Sequence, residues 1–65
     1  MPDESPVTVT FTLSQAEALA LAQLAKRIGW SEWRALSVDD GEAYAMRAAT
    51  DRLAAGLAAA GFAPR

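Results

Sequence analysis

Val7-Thr8-Val9-Thr10-Phe11-Thr12-Leu13 is the one stretch of this 65-residue chain that alternates with a period of two. Val7, Val9, Phe11 and Leu13 fall on one side and the three threonines on the other. That is the pattern of a half-buried β-strand, written in residue types that favour one. Nothing else in the chain alternates this way, so such a strand would find no partner within it. Backbone N–H and C=O groups left unpaired along an apolar edge are costly. Two resolutions follow. The strand pairs with the same strand of a second copy across a two-fold axis, or the segment lies on the helices with its edge in water. The first predicts a small α+β dimer.

Downstream, the period changes to that of a helix. Ser14-Gln15-Ala16-Glu17 fits a capping box, in which the Ser14 oxygen and the Glu17 carboxylate each accept from an orphan amide of the first turn. The helix should run to about Ile28, with Ala20, Leu21, Leu24, Ala25 and Ile28 as its apolar stripe and Leu19 alone on the polar side. Lys26 and Arg27 suit the negative end of its dipole, and Gly29 should stop it in the left-handed conformation. Ser31 can cap a short helical turn to Leu36. Asp39-Asp40-Gly41-Glu42 repeats the capping box, and Ala43, Met46, Thr50, Leu53, Leu57 and Ala60 recur at steps of three and four behind it. Gly56 either weakens that helix by about 1 kcal/mol against alanine or admits a close backbone contact. Gly61 should end it, with Phe62 folding back and Pro64 preventing continuation. Residues 1–6 read as a loose polar end. The expected fold is therefore mainly α within one domain: an N-terminal strand, then two main helices with a short helical turn between them, as a dimer.

Composition narrows the function classes. A chain this short hides only about 60% of its extended surface on folding, so its stability is marginal without a supplement. With no cysteine and no histidine, a disulfide framework, a zinc site and the commonest general base are all absent. Asp39 and Asp40 are adjacent and diverge by about 100° on a helix start. The glycines are scattered rather than gathered in a phosphate loop. The sequence therefore predicts no catalytic centre and no cofactor, and leaves a second copy or a target protein as the supplement. Sixteen alanines let helices approach closely but bury little, so the few large side chains matter. The formal net charge of −2 argues against direct nucleic-acid binding, which needs a basic face, and against electrostatic membrane binding. No apolar run reaches membrane-spanning length, and MPDESP is acidic where a signal peptide is positive; the expected location is the cytoplasm.

The segment Trp30–Tyr44, WSEWRALSVDDGEAY, concentrates the remaining chemistry. It holds both tryptophans, the only tyrosine and half of the acidic residues. Glu32, Asp39, Asp40, Glu42 and nearby Asp51 admit two accounts. As helix-start carboxylates and an Arg47–Asp51 pair they are structural, worth about 0.3–1 kcal/mol each at a dipole end. As exposed acids they could imitate the phosphates of nucleic acid and occupy a basic groove on another protein. Trp30 and Trp33 are core anchors if buried and interface residues if exposed.

Two resemblances bear on function. Val7–Ser31 resembles the start of a ribbon-helix-helix repressor: an alternating strand ending Thr12-Leu13-Ser14, an amphipathic helix, then Gly29-Trp30-Ser31 as the turn. That likeness implies a dimeric DNA-binding regulator reading the major groove through Thr8, Thr10 and Thr12. The strand carries no Lys or Arg, however, and the second helix is interrupted at Ser37–Gly41. The second resemblance rests on Gly29-Trp30-Ser31-Glu32, Val38-Asp39-Asp40, Glu42-Ala43-Tyr44, Met46-Arg47 and the ending Ala60-Gly61-Phe62-Ala63-Pro64-Arg65. These look like a family of short proteobacterial proteins carried on mobile elements, similar in kind to small acidic anti-CRISPR inhibitors of type I systems. It implies a host protein complex, a CRISPR effector, as partner. Glu32, Asp39, Asp40, Glu42, Asp51, Trp30 and Trp33 are the residues expected to meet it.

Overall fold

The computed structural model describes residues 5–63. It contains three helices: α1 (Gln15–Arg27), α2 (Trp30–Leu36) and α3 (Asp40–Ala59). The protein is all-α. The strand expected at Val7–Leu13 does not form, and no described residue belongs to a strand. The physical reason was visible in its isolation: β-propensity selects a ladder only where a second edge exists to complete it. The segment instead runs as an irregular stretch, with Val7, Val9 and Phe11 84%, 72% and 56% exposed. Leu13 alone is drawn to half-buried. A dimer built by pairing that strand loses its basis in the protomer.

The helix boundaries follow their caps. The Ser14 hydroxyl accepts from the Glu17 amide at 3.0 Å, and the Glu17 carboxylate accepts from the Ser14 amide at 2.8 Å, closing the capping box of α1. The Ser14 backbone N–H first, and then the Ser14 hydroxyl, hold the Glu17 carboxyl below its ordinary value of 4.5. Gly29 departs from expectation. Its φ of −131° is extended, and it caps α2 rather than terminating α1 in the left-handed region. The Glu32 carboxylate accepts from its amide at 3.2 Å. The turn expected behind a Ser31 cap is thus a seven-residue helix that starts two residues earlier, at Trp30.

At α3, the Asp39 carboxylate accepts from the Glu42 amide at 2.8 Å, as expected, but Glu42 reaches past Asp39 to the Val38 amide at 3.1 Å. The far end matches the sequence. Gly61 adopts φ +97°, and the Phe62 amide donates to the Leu57 carbonyl at 2.8 Å, folding Phe62 back onto the last turn. Beyond the backbone of its own helix, no atom of the described residues lies within 4 Å of a Cβ built on Gly56, so this glycine weakens α3 without serving a close contact among them.

α3 packs against both other helices, while α1 and α2 make no contact with each other. The principal extents are 36 × 28 × 15 Å. With α1 and α2 each packed on α3 alone, little is buried. Among the described residues Ala18, Ala22, Ala43 and Leu57 are buried, and no large side chain is fully enclosed. Leu13, Leu21, Leu53 and Phe62 pack partly buried around Ala18, Ala22 and Leu57. The buried face of α1 is therefore rotated from the expected stripe. Leu24 is 57% exposed and Leu19 50%, because alanines 18 and 22 let α1 and α3 approach closely.

Candidate functional site

The α2–α3 junction gathers most of the residues singled out in the sequence. Trp30 opens α2 and Tyr44 lies one turn into α3; their ring centroids are 4.8 Å apart with planes tilted by 43°. Such offset geometry is favourable between aromatic quadrupoles. Both rings nevertheless face water, Trp30 41% and Tyr44 60% exposed. Trp33 behaves differently. It is half-buried, and its indole N–H donates to the Thr50 hydroxyl at 3.2 Å. Thr50 in turn donates to the Met46 carbonyl at 2.7 Å. Trp33 is thus the anchor that fixes α2 on α3, and Trp30 is the exposed one. The sequence could not separate them, since both sit in the same seven residues.

Each carboxylate at the junction has a local task. Glu32 accepts from the Gly29 amide and from the Ser31 hydroxyl, the latter at 3.3 Å. Asp39 caps α3, and Glu42 holds Val38. Asp40 pairs with Arg34 at 2.6 Å, the one ion pair among the described residues. Arg34 also donates to the Ser37 carbonyl at 3.3 Å, tying the loop to α2. With side chains 43% and 72% exposed, the Arg34–Asp40 pair is worth at most about 1 kcal/mol. The expected Arg47–Asp51 pair does not form, so Asp51 has no local task. It stands seven residues after Tyr44, which places both on one side of α3 two turns apart.

The structural account of these acids is therefore largely correct, with a remainder. Each of Glu32, Asp39, Asp40 and Glu42 uses one oxygen locally, and its second oxygen has no partner among the described residues. All four residues are exposed. The α2–α3 junction thus carries an exposed ring pair, and the same two helices carry carboxylate oxygens without a partner among the described residues. Among the described residues no group of three or more His, Cys, Asp or Glu is arranged to hold a metal, and no helix is long and apolar enough to cross a membrane.

A second surface went unrecognised in the sequence. Val7, Val9, Phe11 and Leu13 line an open groove of about 660 Å3 together with Ala49, Leu53, Gly56, Leu57, Ala60 and Phe62. Among the described residues, Arg52 is the one charged residue on its walls. The signal was the alternation at residues 7–13, which marks a one-sided apolar surface whether or not a sheet forms.

The described residues define a small protein of three helices. The chain belongs to the family of unknown function DUF7706, whose profile matches residues 1–65. No curated protein and no solved structure matches it.

Proposed function

We propose that this protein acts without catalysis, as a small interaction protein that seats its aromatic and acidic α2–α3 edge on a basic surface of a larger complex. The observation that carries the reading is the exposed Trp30–Tyr44 ring pair. A domain this short of buried large side chains leaves two of its largest in water, with Asp40 one turn before Tyr44 on the same side of α3 and Glu32 and Glu42 two positions from the rings. Trp and Tyr are favoured hot-spot residues because they supply large contact area at low entropic cost. The flanking carboxylates supply long-range attraction to a basic partner and disfavour acidic ones.

A basic surface large enough to receive such an edge is characteristic of assemblies that bind nucleic acid. The finer reading is therefore an inhibitor that competes with nucleic acid for such a groove, of the anti-CRISPR kind, with a type I effector complex as the partner. The ring pair provides affinity in this scheme, and the carboxylates provide selection and encounter rate. The ribbon-helix-helix alternative has no strand to place in a groove.

The test is a competition experiment. Purified type I effector complex is mixed with its target duplex and increasing amounts of this protein, and retained duplex is measured. The expected result is displacement that weakens at least tenfold in Trp30→Ala and in Tyr44→Ala. Displacement should weaken further as salt is raised. Failure of the wild-type protein to displace duplex at any concentration would remove the inhibitor reading. Tight retention of free duplex by the protein itself would overturn the whole proposal.

A further inference from the structure

We infer that the groove between Val7–Leu13 and the C-terminal half of α3 is closed by a second copy of this chain, so that the working unit is a homodimer held by apolar side chains rather than by paired strands. Three observations lead there. First, the protomer is incomplete as a folded unit. Among its helices α1 and α2 each pack on α3 alone, whereas stable domains gather their apolar faces around one shared core. Among the described residues no large side chain is fully enclosed, and the buried set is three alanines and one leucine.

Second, the exposed area is of the size a dimer removes. The chain exposes 5319 Å2, whereas a compact monomer of its 6.9 kDa mass exposes about 4,000 Å2. That surplus, counted over the whole chain, is on the order of 1,000 Å2, enough to supply what each partner loses in a stable interface, about 800 Å2 at standard size.

Third, the chemistry of the groove selects the occupant. Among the described residues its walls are apolar apart from Arg52, like the cores of homodimer interfaces, which are depleted in charge. A basic foreign surface is drawn instead to the carboxylates at the α2–α3 junction, none of which lines the groove. A second copy brings what the groove lacks: its own Val7, Val9 and Phe11, more than half exposed in the protomer. The exchange is reciprocal, as a two-fold interface requires, because each protomer offers both the groove and the segment that fills it. A chain whose core is completed by association also needs its partner whenever it folds, and another copy is always present.

The test uses the full chain. Sedimentation equilibrium of the wild type should give twice the 6.9 kDa mass, and its Tm should fall by several degrees for each tenfold dilution. Phe11→Asp places a charge at a position 56% exposed in the protomer, which the isolated chain tolerates and a dimer does not. It should sediment as a monomer, or unfold at concentrations where the wild type is folded. Leu36→Asp, 72% exposed and away from the groove, should remain dimeric. A wild type of monomer mass with a concentration-independent Tm overturns the inference and leaves the groove to a different partner. So does a Phe11→Asp protein that remains a dimer of wild-type Tm, or a dimer that Leu36→Asp breaks and Phe11→Asp does not.

Discussion

Asp39 separates the structural and the functional value of a carboxylate at this junction. Its side chain accepts from the Glu42 amide at 2.8 Å and thereby caps a 20-residue helix. Replacement by alanine removes that bond, at about 1 kcal/mol, and a charge at the positive dipole end, at about 0.3–1 kcal/mol. The sum is 1–2 kcal/mol, against a total stability of roughly 3–10 kcal/mol for 65 residues. At about 4–8 °C per kcal/mol in a domain of this size, Asp39→Ala should lower Tm by roughly 5–15 °C. Asn caps as well as Asp, so Asp39→Asn should lose only the dipole contribution and stay within about 8 °C of the wild type. Thermal unfolding followed by circular dichroism at one fixed concentration measures both. Competition for the effector complex with the folded Asp39→Asn protein then reads the charge alone, as a loss of a few-fold that shrinks at high salt. An Asp39→Ala protein with unchanged Tm would refute the capping argument. Equal losses in Ala and Asn would refute the split between hydrogen bond and charge. The double change of Asp39 and Asp40 to lysine is a poor probe by comparison, because it breaks a cap and the Arg34 pair together.

Glu17 makes stability depend on acid. Its folded pKa lies below the unfolded value, so its contribution is complete above that unfolded value and is lost as pH falls through the folded one. Glu17→Gln should flatten that part of the Tm-versus-pH curve in the acid range, and an unchanged curve would show that the box does not close in solution. The two tryptophans should differ in fluorescence: Trp30→Phe should leave a blue-shifted, poorly quenched emission from Trp33, and Trp33→Phe should leave a red-shifted, acrylamide-sensitive one. Equal quenching of the two variants would contradict their placement. Gly61→Ala forces a side chain into φ +97° and should cost about 1 kcal/mol or more, read as a Tm drop of about 4–8 °C.

What the sequence disclosed was local, and what it withheld was long-range. Ser14, Asp39 and Gly61 were readable because a cap or a left-handed turn is decided by residues three to five positions apart. The stripe of α3 was readable for a similar reason, since one face of a long helix must turn inward. Residues 7–13 misled because alternation reports a one-sided surface and says nothing about whether a partner edge exists. Gly29 misled because it stands between two helices, where it could end the first or begin the second; the Glu32 carboxylate three residues on decided for the second. Among the candidate site residues, the exposure of Trp30 and the burial of Trp33 depend on which face of α2 meets Thr50, which lies 17 positions away from Trp33. The rotation of the α1 interface onto Ala18 and Ala22 is likewise set by α3 and not by anything within α1.

Because α1 and α2 touch α3 and not each other, the two contact surfaces of this protein should be energetically separable. Leu57 closes the α1–α3 core beside the groove, and Thr50 receives Trp33 on the α2 side. They are seven residues apart on α3, about 10 Å along its axis, at the distance where mutational effects become additive. Leu57→Ala should cost about 2 kcal/mol, the low end for a buried leucine, because its cavity opens into an existing groove. Trp33→Phe should cost about 1 kcal/mol through the lost indole bond. Urea unfolding of the double variant should give their sum to within about 0.5 kcal/mol. A larger coupling would mean that α2 and the groove share a packed network through α3. In that case the aromatic edge could not engage a partner without disturbing the dimer seat, and the assignment of separate roles to the two surfaces would fail.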